Sequence, residues 1–375
     1  MRPAGSLIAL LCVAGLAGPA TALAQGSSIV VGQSTPLTGS NRALGNDIRN
    51  GALALFKKVN DAGGVNGRKV ELVTLDDAND TKRSEANTRQ LLGSNNPIAL
   101  FGWASATLSR PALPHVEAAK IAFFAPFTGA DPMRKFNRYV YNHRASYADE
   151  LEKIVEHYTT FGIRKFAVLY NDDVVGKENF NAVDRALKAR NLSPVATAAV
   201  TRTQTDFSKE VAAVMRAEPD VVILTTLYKT SADFIKLSRR QGSGAQFIST
   251  SFAGSSPLAN ALGGDGLGVA MAQVMPSYFK RSVPVVREYQ GAMEAAFGKK
   301  EFSYQSFEAY VAAKVLVEGM RRAGPQLTRE SLLRALDGIQ NYDVGGYLIS
   351  FSPTNHNGSS FVSLTILGRD LAFRE

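Results

Sequence analysis

The sequence predicts an α/β protein of two doubly wound parallel-sheet lobes with a ligand cleft between them. Three observations carry that expectation. Short apolar strands alternate with amphipathic helices, the pattern of a parallel sheet covered on both faces. The alternation runs through one set and begins again near Tyr147. The first strand also ends in a polar turn, at the edge where open α/β sheets take ligands.

Residues 29–33 (Ile-Val-Val-Gly-Gln) read as the first strand and 34–39 as the polar turn. Ala43, Leu44, Ile48, Ala52, Leu55, Phe56 and Val59 then recur at helical spacing. The glycines of Asp61-Ala62-Gly63-Gly64-Val65-Asn66-Gly67 stop that helix. A second strand, 69–76, ends in Asp76-Asp77, and a charged helix starts near Thr81. Strands at 98–101, 121–125 and 139–142, with a helix over 109–119, complete the first set.

The second set opens with a helix over 147–161, which places Leu151, Ile154, Val155 and Tyr158 on one face. Strands follow at 165–170, 195–200, 220–225, 246–250 and 269–274. Between them lie a helix opened near Gly176, one over 206–217 capped by Asp206, and one over 231–241. Helices over 284–297, 304–323 and 329–336 come next, then strands at 346–351 and 361–367. No Pro/Gly-rich linker separates the sets, so lobes that hinge over a shared cleft are expected.

Residues 1–24 read as a cleavable secretory signal: Arg2, an apolar core over 7–16, and Ala22-Leu23-Ala24 before Gln25. That core is too short to span a bilayer, and no later run offers about 20 continuous apolar residues. Export to the periplasm is the expectation. The single cysteine, Cys12, lies inside the signal, so no disulfide, thiolate metal site or cysteine nucleophile is expected in the mature chain. The preceding Ala9-Leu10-Leu11 does not resemble a lipoprotein box. About 350 mature residues exceed one core, which predicts two domains. The net charge of +9 is scattered, and the pairs Arg239-Arg240 and Arg321-Arg322 read as solvated helix ends. No nucleic-acid partner is expected.

Little in the chain suggests catalysis. The four histidines, His115, His143, His157 and His356, have no partners at metal-ligand spacing. There is no Gly-x-Ser-x-Gly elbow and no Walker loop. Gly264-Asp265-Gly266-Leu267-Gly268 runs from helix to strand, the wrong order for a dinucleotide fingerprint. No metal, cofactor or catalytic residue is therefore expected. Asp76-Asp77 and Asn171-Asp172-Asp173 could serve a metal or acid–base chemistry, although such residues more often cap helices. The stronger candidates are two turns that follow strands, Trp103-Ala104-Ser105-Ala106-Thr107 and Phe127-Thr128-Gly129. Free N–H groups and small hydroxyl residues at a helix start can hold a carboxylate without a formal cation.

Several motifs together carry a resemblance: Thr35-Pro36-Leu37-Thr38-Gly39, Asn50-Gly51-Ala52, Asn60-Asp61-Ala62-Gly63-Gly64-Val65-Asn66-Gly67, Asp76-Asp77, Phe101-Gly102, the stretch 172–176, Pro219-Asp220 and the region 353–358. With them, nearly all of residues 27–370 resembles the type I periplasmic solute-binding proteins, specifically the leucine/isoleucine/valine-binding family of ABC importers. The resemblance implies two lobes joined by three crossovers, 25–144 plus 277–355 and 145–276 plus 356–375. A small-molecule ligand would be buried by lobe closure, and a membrane permease would be the partner of a monomeric binding protein. Ser105, Ala106 and Thr107 would hold the ligand carboxylate, and Phe127, Thr128 and Gly129 would add backbone contacts. Tyr228 would face the cleft from the second lobe. Leu44, with Asn41 and Arg42, would form a rim, and Trp103 and Phe252 would add aromatic wall.

One departure shapes the expected ligand. Ser251 and Phe252 stand where amino-acid binders of the family place an acid for the ligand ammonium, and Val175 stands where tyrosine is common. A buried ammonium without an anion costs several kcal/mol. The reading is therefore a carboxylate ligand without an amine, such as an organic or aromatic acid. Asp172 or Asp173 keeps an amino-acid ligand in view. A sensor module of the same fold is the alternative role, and an enzyme is not expected. Arg144, at the first lobe junction, could tune the hinge or reach the ligand.

Overall fold

The computed structural model describes residues 27–39 and 41–375; the expected signal segment and Cys12 lie outside the described residues. The first lobe begins with β1 (Ile29–Thr35), α1 (Arg42–Asp61), β2 (Val70–Asp76), α2 (Thr81–Ser94) and β3 (Ala99–Phe101). It continues through α3 (Ala106–Ser109), α4 (Leu113–Ala119), β4 (Ala122–Phe124) and β5 (Val140–Tyr141). The five strands form one parallel sheet in the order β2-β1-β3-β4-β5. Val31, Leu100, Phe101, Phe123 and Phe124 are buried in it, as expected for strands covered on both faces. The one helix expected over 109–119 is instead α3, a 3-10 turn at 110–112 and α4. Pro111 and Pro114 lack the amide donors that a continuous helix would use.

The second lobe runs α5 (Tyr147–Thr160), β6 (Phe166–Asn171), α6 (Val174–Lys188), β7 (Ala196–Val200), α7 (Ser208–Arg216), β8 (Val221–Thr225), α8 (Tyr228–Arg240), β9 (Gln246–Ser249), α9 (Ser255–Leu262) and β10 (Ala270–Gln273). The chain then builds α10 (Pro284–Phe297), α11 (Tyr304–Ala323), α12 (Arg329–Asp337), the small ribbon β11 (Tyr342–Asp343) and β12 (Leu348–Ile349), then β13 (Ser363–Leu367) and β14 (Phe373–Arg374). The second sheet has the order β14-β13-β10-β9-β8-β6-β7.

Three local expectations are corrected. The second sheet is not wholly parallel: β13 runs antiparallel to β10, and β14 antiparallel to β13. The chain returns from the other lobe and adds these strands as a hairpin at the edge. Residues 346–351 join neither lobe sheet and contribute only the two-residue β12. Asp206 does not cap α7; the cap position is Phe207, and the Asp206 carboxylate accepts from the N–H and hydroxyl of Ser208.

The two lobes repeat one plan. β7-β6-β8-β9-β10 matches β2-β1-β3-β4-β5, with strand order reversing between β1 and β3 and between β6 and β8. In each lobe the helix after the first strand also carries a buried glycine in its first turn. A Cβ on Gly45 would lie 1.9 Å from the Pro36 carbonyl oxygen, and one on Gly176 would lie 1.9 Å from that of Asn171. Side chains are excluded there because the helix starts directly over the end of the preceding strand.

α10 and α11 pack on α1, far away in sequence. A Cβ on Gly51 would lie 2.0 Å from the Ser306 carbonyl oxygen, so α1 and α11 meet backbone to backbone. Ser303, the cap of α11, gives its hydroxyl to Asp47 at 2.8 Å.

The chain passes between the two sheets over 142–146, 274–283 and 350–362. These passages are tied together. Asn142 donates its N–H to His356 and accepts from the N–H of Gly358. The Tyr347 hydroxyl lies 3.2 Å from the His143 carbonyl and 3.3 Å from that of Val274. Arg144, buried in the first passage, donates to Glu308 of α11 at 3.3 Å, to Glu150 of α5 at 3.0 Å, and to the Ser251 hydroxyl.

Two outcomes follow from this packing. Gly51→Ala forces α1 off α11 and should lower stability by about 1–3 kcal/mol, read as a lower urea midpoint. Arg144→Ala strands two buried carboxylates and should cost about 3–5 kcal/mol by the same measurement. Arg144→Lys should cost clearly less, because the charge is kept.

Candidate functional site

A cavity of about 480 Å³ lies between the two sheets. Its walls follow from the repeated plan, because each strand from β1 to β9 is followed by residues that line it. Asn41, Leu44 and Asp47 come after β1, Asn79 after β2, and Ala104 to Leu108 after β3. Phe127 and Thr128 follow β4, and Arg144 and Tyr147 follow β5. The second lobe gives Val175, Arg202, Thr203, Leu227, Tyr228 and the stretch from Ser251 to Gly254 after β6, β7, β8 and β9. Carboxyl ends of parallel strands at a switch in strand order form a crevice, and two such crevices face each other here. Gln305 and Glu308 on α11 are the exceptions to the rule.

Leu44, Ser105, Ala106, Thr107, Phe127, Thr128, Tyr228, Ser251 and Phe252, all expected from the sequence to contact ligand, meet on this wall, and Asn41, Arg144 and Val175 join them. Tyr228 arrives as the first residue of α8, not at a strand end. Trp103 and Gly129 do not line the cavity. Trp103 is fully buried against Phe123, and its carbonyl accepts the Phe127 N–H at 2.8 Å. Gly129 lies against Tyr147: its carbonyl accepts the Tyr147 N–H at 2.9 Å, and a Cβ would come within 2.5 Å of that nitrogen. Both hold wall residues in place from behind. Of the rim residues, Asn41 is on the wall and the exposed Arg42 is not.

At the first turn, the Ser105 hydroxyl accepts the Leu108 N–H at 3.2 Å, and the Ser105 carbonyl accepts from Ser109. As at any helix start, the N–H groups of Ala106 and Thr107 have no acceptor within the helix. The opposite wall is aromatic. Phe252 packs edge-on against Tyr147 at 5.6 Å, and the Arg202 guanidinium lies 6.0 Å from the Phe252 ring centre.

The acidic pairs at the strand ends are structural. Asp76 accepts from the N–H groups of Leu37, Thr38 and Ala78 and from the Thr38 hydroxyl. Burial pushes its pKa up, but these bonds win and hold it down at about 2. Buried Asp77 takes the Ser34 hydroxyl. Asp173 caps α6 through Gly176 and pairs with Arg202 at 2.7 Å, while Asp172 pairs with Lys177. Neither Asp172 nor Asp173 lines the cavity.

The acids that do line it were missed in the sequence: Asp47 and Glu308. Both sit inside helices, where a lone carboxylate looks like any solvated face, and only the packing of α11 on α1 turns them inward. Glu308 lies 3.1 Å from His143 Nε2 and 3.3 Å from Arg144. Burial pushes its pKa up, yet Arg144 and His143 together hold it below the ordinary value. Glu150, beneath the wall, accepts both the N–H and the hydroxyl of Ser251 at 2.7 Å. Burial dominates there and raises its pKa against the pull of Arg144. Burial lowers the pKa of His143, which favours its neutral form.

A family model described as periplasmic binding protein matches residues 28–365. A substrate-binding periplasmic protein from Ralstonia solanacearum is 32% identical and superposes with a TM-score of 0.85, covering 93% of this chain and 100% of that one. A Leu/Ile/Val-binding protein homolog 7 from Brucella melitensis is 26% identical over 94% of this chain and 91% of its own length. An amino acid binding protein from Pseudomonas aeruginosa is 26% identical over 76% of this chain and 78% of its own. With two lobes of one plan, a cavity built from the strand ends of both, and a family match along most of its length, the chain belongs to the periplasmic binding proteins, as a type I member of the leucine/isoleucine/valine-binding group.

Proposed function

We propose that this protein is the periplasmic solute-binding component of an ABC importer and captures a small carboxylate-bearing ligand, an organic or aromatic acid ahead of an amino acid. The observation that carries the reading is the cavity itself, with a polar helix start at Ser105 to Thr107 facing an aromatic wall at Phe252 and Tyr228. Free N–H groups at the turn suit the carboxylate. Phe127, Tyr147 and Phe252 suit an apolar or aromatic body.

The lobes, 25–144 plus 277–355 and 145–276 plus 356–375, close over the ligand by rotation about the tied crossovers. Ligand then shifts the population toward the closed form, which docks on a membrane permease. The protein acts as a monomer in the periplasm, without catalysis.

The second reading is an amino-acid ligand. It is favoured by Asp47 and Glu308 on the wall, which offer anions that the Ser251-Phe252 turn lacks, and by the names of the relatives from Brucella and Pseudomonas.

A thermal-shift screen of matched pairs, each amino acid beside its amine-free acid, separates the two. At a hundredfold excess over Kd, a ligand stabilises by about 2.7 kcal/mol, a rise of a few degrees in Tm. The first reading expects the amine-free acids to give that rise; stabilisation by the amino acids alone overturns it in favour of the second. Saturating ligand should also shrink the radius of gyration in small-angle scattering, and no compaction contradicts the closure mechanism. Phe252→Ala should weaken binding roughly tenfold through lost apolar contact, read by calorimetry, while Tm without ligand changes little.

A further inference from the structure

Asp47 stands apart from the other charged groups of the cavity. Arg144 is matched by Glu150 and Glu308, Arg202 by Asp173, and Glu308 by Arg144 with His143 beside it. No cation among the described residues pairs with Asp47. It lies on α1 three residues beyond Leu44, so both project to the same helix face and line the same wall. Its one polar partner is Ser303, whose hydroxyl donates to Oδ2 at 2.8 Å. Its Oδ1 has no hydrogen-bond partner among the described residues, although a carboxylate offers about four acceptor sites.

The groups facing Asp47 cannot neutralise it. Ser303 caps α11, Glu301 precedes that helix, Tyr289 is on α10 and Tyr278 lies in the second crossover. Glu308, further along α11, is the other acid of the wall. Serine and tyrosines are neutral at neutral pH, and the two glutamates are acids. Accordingly, burial raises the Asp47 pKa to about 6, with the Ser303 bond pulling it down and Glu301 pushing it up.

We propose that Asp47 is a specificity-determining residue, and that the ligand carries, besides its carboxylate, an O–H or N–H donor that reaches Asp47. The proposal rests on the carboxylate reading of the cleft and narrows it. A plain acid leaves Asp47 either ionised and unmatched near a second anion or forced to take up a proton. A hydroxy acid or an amino acid supplies the missing donor.

The test is calorimetry with two matched series at pH 7.5. One is 3-phenylpropionate, its 2-hydroxy derivative, phenylalanine and 3-(4-hydroxyphenyl)propionate; the other is 4-methylpentanoate, its 2-hydroxy derivative and leucine. At least one donor-bearing member should bind about tenfold or more tighter than its parent acid, the scale of a hydrogen bond to a charged group. The hydroxy and amino arms tell an O–H donor from an N–H donor. In Asp47→Asn the preference should fall to about threefold or less, because the parent acid no longer meets an unmatched carboxylate. In unaltered protein the preference should shrink as pH is lowered from 7.5 to 5, because a protonated Asp47 accepts a donor more weakly; this arm stands even if the variant folds poorly. Equal binding of parent and substituted acids, or a preference that survives both Asp47→Asn and acidification, overturns the proposal and leaves the carboxylate reading in place. Binding of no member of either series overturns the carboxylate reading and this proposal with it.

Discussion

The guanidinium of Arg144 is the constraint on which the junction depends. A charge buried in the passage between two sheets must be matched within reach, and the matching groups come from both sides. Glu150 arrives on α5 of the second lobe and Glu308 on α11, which packs on the first. Losing either pairing would leave a buried ion uncompensated, at a cost of several kcal/mol. Any motion of the lobes is therefore cheapest when it pivots near this cation and keeps both pairs. The same cluster sets the cavity floor. Glu150 takes the N–H and hydroxyl of Ser251, so the loop that carries Phe252 is fixed by the group that matches Arg144.

Around that pivot the two lobes obey one steric rule. The helix after each lobe's first strand must begin close over that strand's end, and the buried Gly45 and Gly176 make the approach possible. Parallel strands present all their carboxyl ends on one edge, so two lobes set edge to edge enclose a cavity lined by nine successive strand ends. α10 and α11 break the symmetry. They return to the first lobe late in the chain and bring Gln305 and Glu308 to a wall otherwise made by loops.

The strand-and-helix alternation was legible in the sequence because periodicity is local, and so were the turns after strands. Ser105, Thr128 and Phe252 reach the cavity because strand ends in a parallel sheet have one destination. Trp103 and Gly129 follow the same strand ends but face inward, and one residue of rotation in a tight turn decides that. No local pattern encodes it. The antiparallel edge at β13 depends on where the chain re-enters the second lobe, which is a property of the whole path. Asp47 and Glu308 are hidden from the sequence for the same reason: a helix face becomes a cavity wall only through the packing of α1 on α11, and the contact that Gly51 permits has no local signature.

The charge balance of the wall bears on what the cleft can recognise. Both cations on it are already matched, Arg144 by two acids and Arg202 by Asp173. Among the described residues the wall therefore carries no free positive charge, and on the proposed reading a carboxylate would be held by neutral donors, the N–H groups and hydroxyls of the Ser105 to Thr107 turn. Neutral donors hold an anion without attracting every anion from a distance, so they favour fit over long-range steering. The absence of an acid at Ser251-Phe252 points to a ligand without an amine. That absence stands, but Asp47 on α1 and Glu308 on α11 put acids on the wall. On the proposed reading, what distinguishes ligands is less the presence of an amine than whether a donor lies within reach of Asp47, a matter of where the body of the ligand sits in the cleft.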